Sequence, residues 1–278
     1  MVTTSLVVPQ PLIQRYISSF ELRTIDTGRS TMQRPLHALP ESSISLFINS
    51  DHPGFLPYHE QIPAFVADEY SYPLAGIMGI QTFMRGTFVF KGRYKILNIN
   101  FQPSGVYELF GIHATVLTDK LFNAYRVIGH EIAELHQYIQ QAEDRNIFMA
   151  AEEWAAQLYN RALNLKFRVW PDLPILINAA ANNETIEHLA LMANMSVKTF
   201  ERNFNMFVGV GPKLFAQIHR FNQVIAFKKL HPAATWSYIS NKFQFYDQMH
   251  FIKEFKHFAG ETPARFFRNT PPPAETFI

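Results

Sequence analysis

Two short runs of side chains, 51 residues apart, have the types and spacing to recognise another molecule without covalent chemistry. The first is Lys198, Thr199, Glu201 and Arg202; the second is Gln248, Met249, His250 and Lys253. Each run mixes donors, acceptors and short apolar groups. An arginine fork matches the two acceptors on the guanine edge, glutamine pairs with adenine, glutamate accepts from cytosine, and a methionine can touch the thymine methyl. Arg202 and Lys253 hold the same place in the two runs. The chemistry on offer is readout of base-pair edges, with contact to phosphate as the alternative for each residue.

Catalytic chemistry has far less to work with. The chain has no cysteine, which removes disulfides, thiolate metal sites, cysteine nucleophiles and the acceptor thiol of a DNA-repair methyltransferase. His130-Glu131 with His136 has the wrong spacing for a zinc peptidase helix, which needs histidines four apart on one face; these are expected to be surface histidines. His37, His52 and His59 lie in the strand-rich half without tight metal spacing. No Gly-rich phosphate loop and no convincing triad is present. No catalytic residue, metal ligand or cofactor is therefore assigned, and a metal-dependent enzyme is the weakest of the readings.

The elements that must position the two runs are visible as an internal repeat. Phe200, Phe204, Phe207, Gly209, Pro212 and Phe215 recur at one offset as Phe251, Phe255, Phe258, Gly260, Pro263 and Phe266. Phenylalanine at i, i+4 and i+7 makes one apolar stripe on a helix, so the two runs occupy the remaining face. Gly209 and Gly260 then stand where a helix ends left-handed. Thr262-Pro263, and less strongly Gly211-Pro212, are the start of a further helix. Ser196 and Asp247 are good N-caps for the striped helices. A shorter helix precedes each, at Thr185–Ala190 and Thr235–Ser240. Those are offset by 50, so the second turn is one residue longer. Short helix, turn and second helix is the helix-turn-helix plan. One continuous helix over roughly Pro212–Leu230 is expected to join the two modules.

At this point the sequence resembles the AraC/XylS family of transcription regulators. The second module fits in Phe245-Tyr246-Asp247-Gln248, His250-Phe251, Phe255-Lys256 and Gly260-Glu261-Thr262-Pro263. The first fits in Leu189-Ala190, Ser196, Arg202, Phe204 and Gly209. Three positions depart from the family pattern: Gln244 replaces a usual glycine, Ser240 a usual alanine, and Met249 a usual small polar residue. The resemblance implies double-stranded DNA as partner, with base contacts from the two runs named above. It further implies an N-terminal sensor, commonly a small β-barrel with helices behind it. A small-molecule effector, a second copy of the chain and RNA polymerase are the further partners such a regulator would have. The run Phe101-Gln102-Pro103-Ser104-Gly105, followed by Leu109-Phe110-Gly111, looks like a segment common in these regulators.

Charge and patterning divide the chain the same way. Between Ile175 and Thr270 there are 11 Lys/Arg against 6 Asp/Glu, while the remainder has 14 against 17. A basic C-terminal third is the electrostatic footprint of a nucleic-acid binder. The first half reads as strands and turns: Ser43–Asn49, then Arg85–Phe90 and Tyr94–Phe101 as a hairpin about Lys91-Gly92-Arg93. Helices are expected over Leu121–Gln141 and Asp144–Leu165. Trp170-Pro171-Asp172-Leu173-Pro174 interrupts the helical pattern. The expectation is a mixed α and β chain. Residues 1–168 form a small cupin-like β-barrel with helices, used for sensing or only for dimerisation. Residues 169–174 are a linker, and 175–270 an all-α domain with two helix-turn-helix modules. The opening residues lack a basic segment and meet Pro9 and Pro11, and no apolar run approaches the ~18 residues of a membrane span. A cytoplasmic protein with no membrane partner is expected.

Overall fold

A computed structural model describes residues 1–58, 72–164 and 170–269. His59, Leu165, Val169 and the prolines at 271–273 lie outside the described residues. The chain is mixed α and β, with the strands in the first half and the second half helical. Among the described residues, no helix is long and apolar enough to cross a membrane.

The N-terminal sheet is antiparallel. Its strands are β1 (Val2–Val7), β2 (Ile17–Leu36), β3 (Ser43–Phe47), β4 (Gly54–Pro57), β5 (Ala75–Met78), β6 (Gly86–Phe101) and β7 (Leu121–Asn123). They run in the order β1-β2-β6-β3-β5-β7, with β4 also on β6. Side-chain alternation splits the two faces. Phe20, Leu22, Leu97 and Ile99 join a core with the helices α1 (Gly105–Phe110), α2 (Ala124–Ile128), α3 (His130–Ile139) and α4 (Asp144–Asn164). Ile25, Phe47, Phe88, Phe90 and Ile96 build a second core on the other face.

Two expectations are corrected here. The segment Arg85–Phe101 is not a hairpin. From Gly86 it is one strand that passes through Gly92 at φ 100 and pairs along almost its whole length with β2. Opposite Gly92 the register jumps from Asp26 to Thr31, so residues 27–30 bulge out and the two-stranded ribbon bends. The glycine and its basic neighbours mark a bend, which in sequence looks like a turn. Nor is Leu121–Gln141 one helix. Leu121–Asn123 completes the sheet edge beside β5, and Gly129, at φ 93, separates α2 from α3. The expected helix over Asp144–Leu165 is α4.

The C-terminal half contains α5 (Leu173–Ala181), α6 (Ile186–Met192), α7 (Val197–Val208), α8 (Pro212–Leu230), α9 (Trp236–Lys242), α10 (Gln248–Ala259) and α11 (Pro263–Asn269). Their core is the phenylalanine repeat itself: Phe200, Phe204, Phe207, Phe215, Phe251, Phe255, Phe258 and Phe266 are all buried. Trp170 joins this core, its ring edge-on to Phe200 and Phe207 at 5.8 Å from each. Ala38, Ile80 and Tyr107 from the first half pack into it too.

Candidate nucleic-acid interface

Each module is built from local sequence rules. Thr185 and Thr235 cap the short helices α6 and α9, their side chains accepting from the backbone N–H of His188 and Tyr238. Both short helices close in the same way. The N–H of Met195 donates to Ala190 O at 2.9 Å, and that of Phe245 donates to Ser240 O at 3.0 Å. The residues just before, Asn194 and Gln244, are left-handed, at φ 51 and 57. This is the six-to-one bond of a Schellman stop. The second turn then inserts one residue, the fully exposed Tyr246, before the next cap.

The longer helices α7 and α10 begin at Ser196 and Asp247. Ser196 Oγ accepts from the Thr199 N–H at 3.3 Å, and Asp247 Oδ1 from the His250 N–H at 2.7 Å. The phenylalanine stripes turn inward. Lys198, Glu201, Arg202, Gln248, Met249, His250 and Lys253 are exposed, and Thr199 is half-buried beside the Ser196 hydroxyl. Lys198, Arg202 and Lys253 form no ion pair among the described residues. All eight sequence-predicted site residues thus lie in the first turns of α7 and α10, four on each. Both helices stop at left-handed glycines, Gly209 and Gly260.

One polar pair that sequence reasoning did not single out fixes α10 on α8. Arg220 Nη2 lies 2.7 and 2.9 Å from the two oxygens of Glu254, both side chains largely buried, and Gln217 donates to the same carboxylate at 3.2 Å. The guanidinium also stands over the Phe245 ring at 4.2 Å. The repeat-equivalent residue in α7 is the buried Asn203. A signal was present: Glu254 falls between two stripe phenylalanines, where a solvated acid is out of place.

The N-terminal sheet lines a partly open cavity of about 40 Å³. Arg23, Ser45, Phe47, Phe88, Phe90 and Asn98 are among its lining residues. Because β2 and β6 each contribute residues from both sides of their bend, the sheet folds back over this space. Arg23 is fully buried and paired with Glu21; Ser45 donates to Asn98 at 2.8 Å. His136 is buried, against the expectation of a surface histidine. Its Nε2 donates to Phe47 O at 2.7 Å and its Nδ1 takes the Tyr125 hydroxyl. Burial lowers its pKa, so it is a neutral structural group between α3 and the sheet.

Residues 189–269 match the family model described as "Helix-turn-helix domain". The chain carries an AraC-type helix-turn-helix domain. It is a DNA-binding transcription regulator. Comparison with curated proteins returns no match. Among solved structures, ToxT from Vibrio cholerae O395 is 11% identical, covers 95% of this chain and 96% of its own, and has a TM-score of 0.43. Unsaturated fatty acid bound wild-type ToxT from Vibrio cholerae strain SCE256 is 9% identical, covers 95% and 94%, and has a TM-score of 0.45. Likeness this slight carries no weight for ligand or mechanism. The assignment rests on the AraC-type domain and its two modules.

Proposed function

We propose that this regulator reads a bipartite operator, one recognition helix to each major-groove segment. The observation that carries the proposal is the equivalence of α7 and α10 on one connecting helix. Arg202 and Lys253 stand at the same repeat position, one turn into each helix, and α8 has 19 residues. At about 1.5 Å per residue that helix is just under 30 Å long. Major-groove segments on one side of B-DNA recur about every 34 Å. A modest bend of the duplex, at a cost of a few kcal/mol, closes the difference.

In this reading Lys198, Thr199, Glu201 and Arg202 contact one element, and Gln248, Met249, His250 and Lys253 the other. Arg202→Ala and Lys253→Ala should each cost about 1–3 kcal/mol and relax base preference in one element only. Selection of duplexes from a random pool with each variant tests this. Uniform weakening on all sequences would reassign the residue to phosphate, and no weakening would remove it from the interface.

In this reading residues 175–270 act as the DNA-binding part and 1–168 as a sensor that responds to a small molecule rather than as an enzyme; 169–174 join them as a linker anchored on the C-terminal side, where Trp170 and Leu173 pack into the helical core. The cavity on the sheet, with its aromatic wall and buried polar groups, favours the sensor reading. Drug-sized sites measure about 300–1,000 Å³, so an effector must widen the space. The present size of the cavity favours a second reading, in which residues 1–168 serve only to pair two copies of the chain. Ser45→Trp, which blocks the cavity, separates them. It abolishes an effector-induced thermal shift under the first reading and leaves dimerisation and DNA binding intact under the second. RNA polymerase is the partner through which a bound regulator of this kind would act.

A further inference from the structure

The two modules are held from outside at the same point of the repeat. Gly209 and Gly260 end the recognition helices α7 and α10. Thr118 Oγ1 donates to the Gly209 carbonyl at 2.7 Å, and the Tyr58 hydroxyl donates to the Gly260 carbonyl at 2.7 Å. Both hydroxyls belong to the N-terminal half, yet they come from different segments of it. Tyr58 follows β4, and Thr118 follows the 3-10 turn at Ala114–Val116. Left-handed backbone is one reason for glycine at each corner, and close approach is the other. A Cβ on Gly209 would meet Thr118 Oγ1 at 2.8 Å, and one on Gly260 would meet Met84 Cγ at 2.8 Å and the Tyr58 ring at 2.9 Å.

More contacts flank each corner. At the first, the Tyr107 ring lies 4.1 Å from that of Phe207. At the second, the Ala38 N–H donates to Phe258 O at 3.0 Å, and Asn222 of α8 donates to Ala38 O at 3.1 Å. The N-terminal half therefore touches both recognition helices at their far ends and touches the helix between them. The exposed first turns that carry the eight readers stay clear of it.

We infer that the N-terminal domain is a cross-brace, which docks on the equivalent glycine corners of the two modules and sets the spacing of their recognition helices. A brace at the C-terminal ends leaves the reading faces open while removing freedom that α8 alone would leave. The same segments connect the brace to the cavity. Leu36 and Met78 line the cavity, and two residues beyond them Ala38 and Ile80 enter the C-terminal core; Tyr58 directly follows β4. A change in the cavity is thereby delivered to the second corner. This deepens the proposal that the two modules read one operator, and its test has a readout that needs no DNA.

Because the chain has no native cysteine, spin labels at Asn205→Cys and Lys256→Cys, exposed and repeat-equivalent, report the distance between α7 and α10. The braced protein should give one narrow distance distribution. Thr118→Ala/Tyr58→Ala should broaden it, with the gentler Tyr58→Phe broadening it less. On a two-element duplex the double variant should bind about fivefold or more weakly, as expected for at least one lost hydrogen bond's worth of preorganisation. Its affinity for each element alone should not change. An unchanged distance distribution in the folded double variant would overturn the brace. So would tighter binding to the two-element duplex, which would make the corners inhibitory. If the distribution broadens while no two-element duplex binds even the unsubstituted protein, the brace stands and the bipartite reading fails.

Discussion

Single residues show where this chain departs from what its own fold favours. Gln244 is left-handed at φ 57 in the second turn, whereas its counterpart Asn194 is a residue type that tolerates that conformation. Gln244→Gly should raise stability by up to about 1 kcal/mol, the relief of strain being partly offset by the freer unfolded chain. Ser240 is buried and its hydroxyl has no partner among the described residues. An unsatisfied buried hydroxyl costs about 1–3 kcal/mol, so Ser240→Ala should stabilise on that scale. Thermal denaturation of the two single variants checks both, and a lower midpoint in either would contradict the turn geometry. The opposite sign is expected at Glu254. Removing it strands Arg220 in a largely buried site, so Glu254→Ala should destabilise by about 3–5 kcal/mol and loosen α10 on α8. These departures were legible in the sequence as mismatches at Gln244 and Ser240; what each mismatch costs follows only from φ and burial.

At the scale of elements, the helices were far more legible than the strands. The phenylalanine stripe, the caps Ser196 and Asp247, the glycine stops and the bounds of α8 follow from side-chain period and end chemistry, which act within one or two turns. The strands β1 and β2 were not foreseen. Part of β2 is buried on both faces, so it lacks clean alternation, and its partner β6 looked like a hairpin because the bend falls on Gly92. Leu121–Asn123 reads as helix because three residues cannot show a period of two, and only pairing with β5 makes them a strand. Docking between elements carries a pH dependence. The His37 ring stands edge-on to Phe221 and Phe266, at 5.4 and 5.9 Å, and burial pushes its imidazole from its ordinary value of 6.5 down to about 4. In the unfolded chain this ring takes up a proton as pH falls through 6.5, while the folded protein resists until about pH 4. Its contribution to stability is therefore complete above pH 6.5 and is lost progressively between 6.5 and 4. Urea midpoints measured across that range should fall less steeply for His37→Phe than for the unsubstituted protein; parallel curves would place the sensitive group elsewhere.

At the scale of the molecule, two helix-turn-helix modules share a core of repeated phenylalanines, are joined by one helix, and are held at both corners by the N-terminal half. On the proposed reading, such an arrangement would recognise DNA at one spacing and in one phase, since neither module could turn about the helix axis of the duplex independently of the other. The most direct test of this claim is the affinity of the full chain for its selected duplex before and after insertion of five base pairs between the two protected elements. Half a helical turn moves the second groove to the opposite side of the DNA. The account predicts that binding to the lengthened duplex falls to that of a single element and that protection of one element disappears. Undiminished affinity, with both elements still protected, would contradict it.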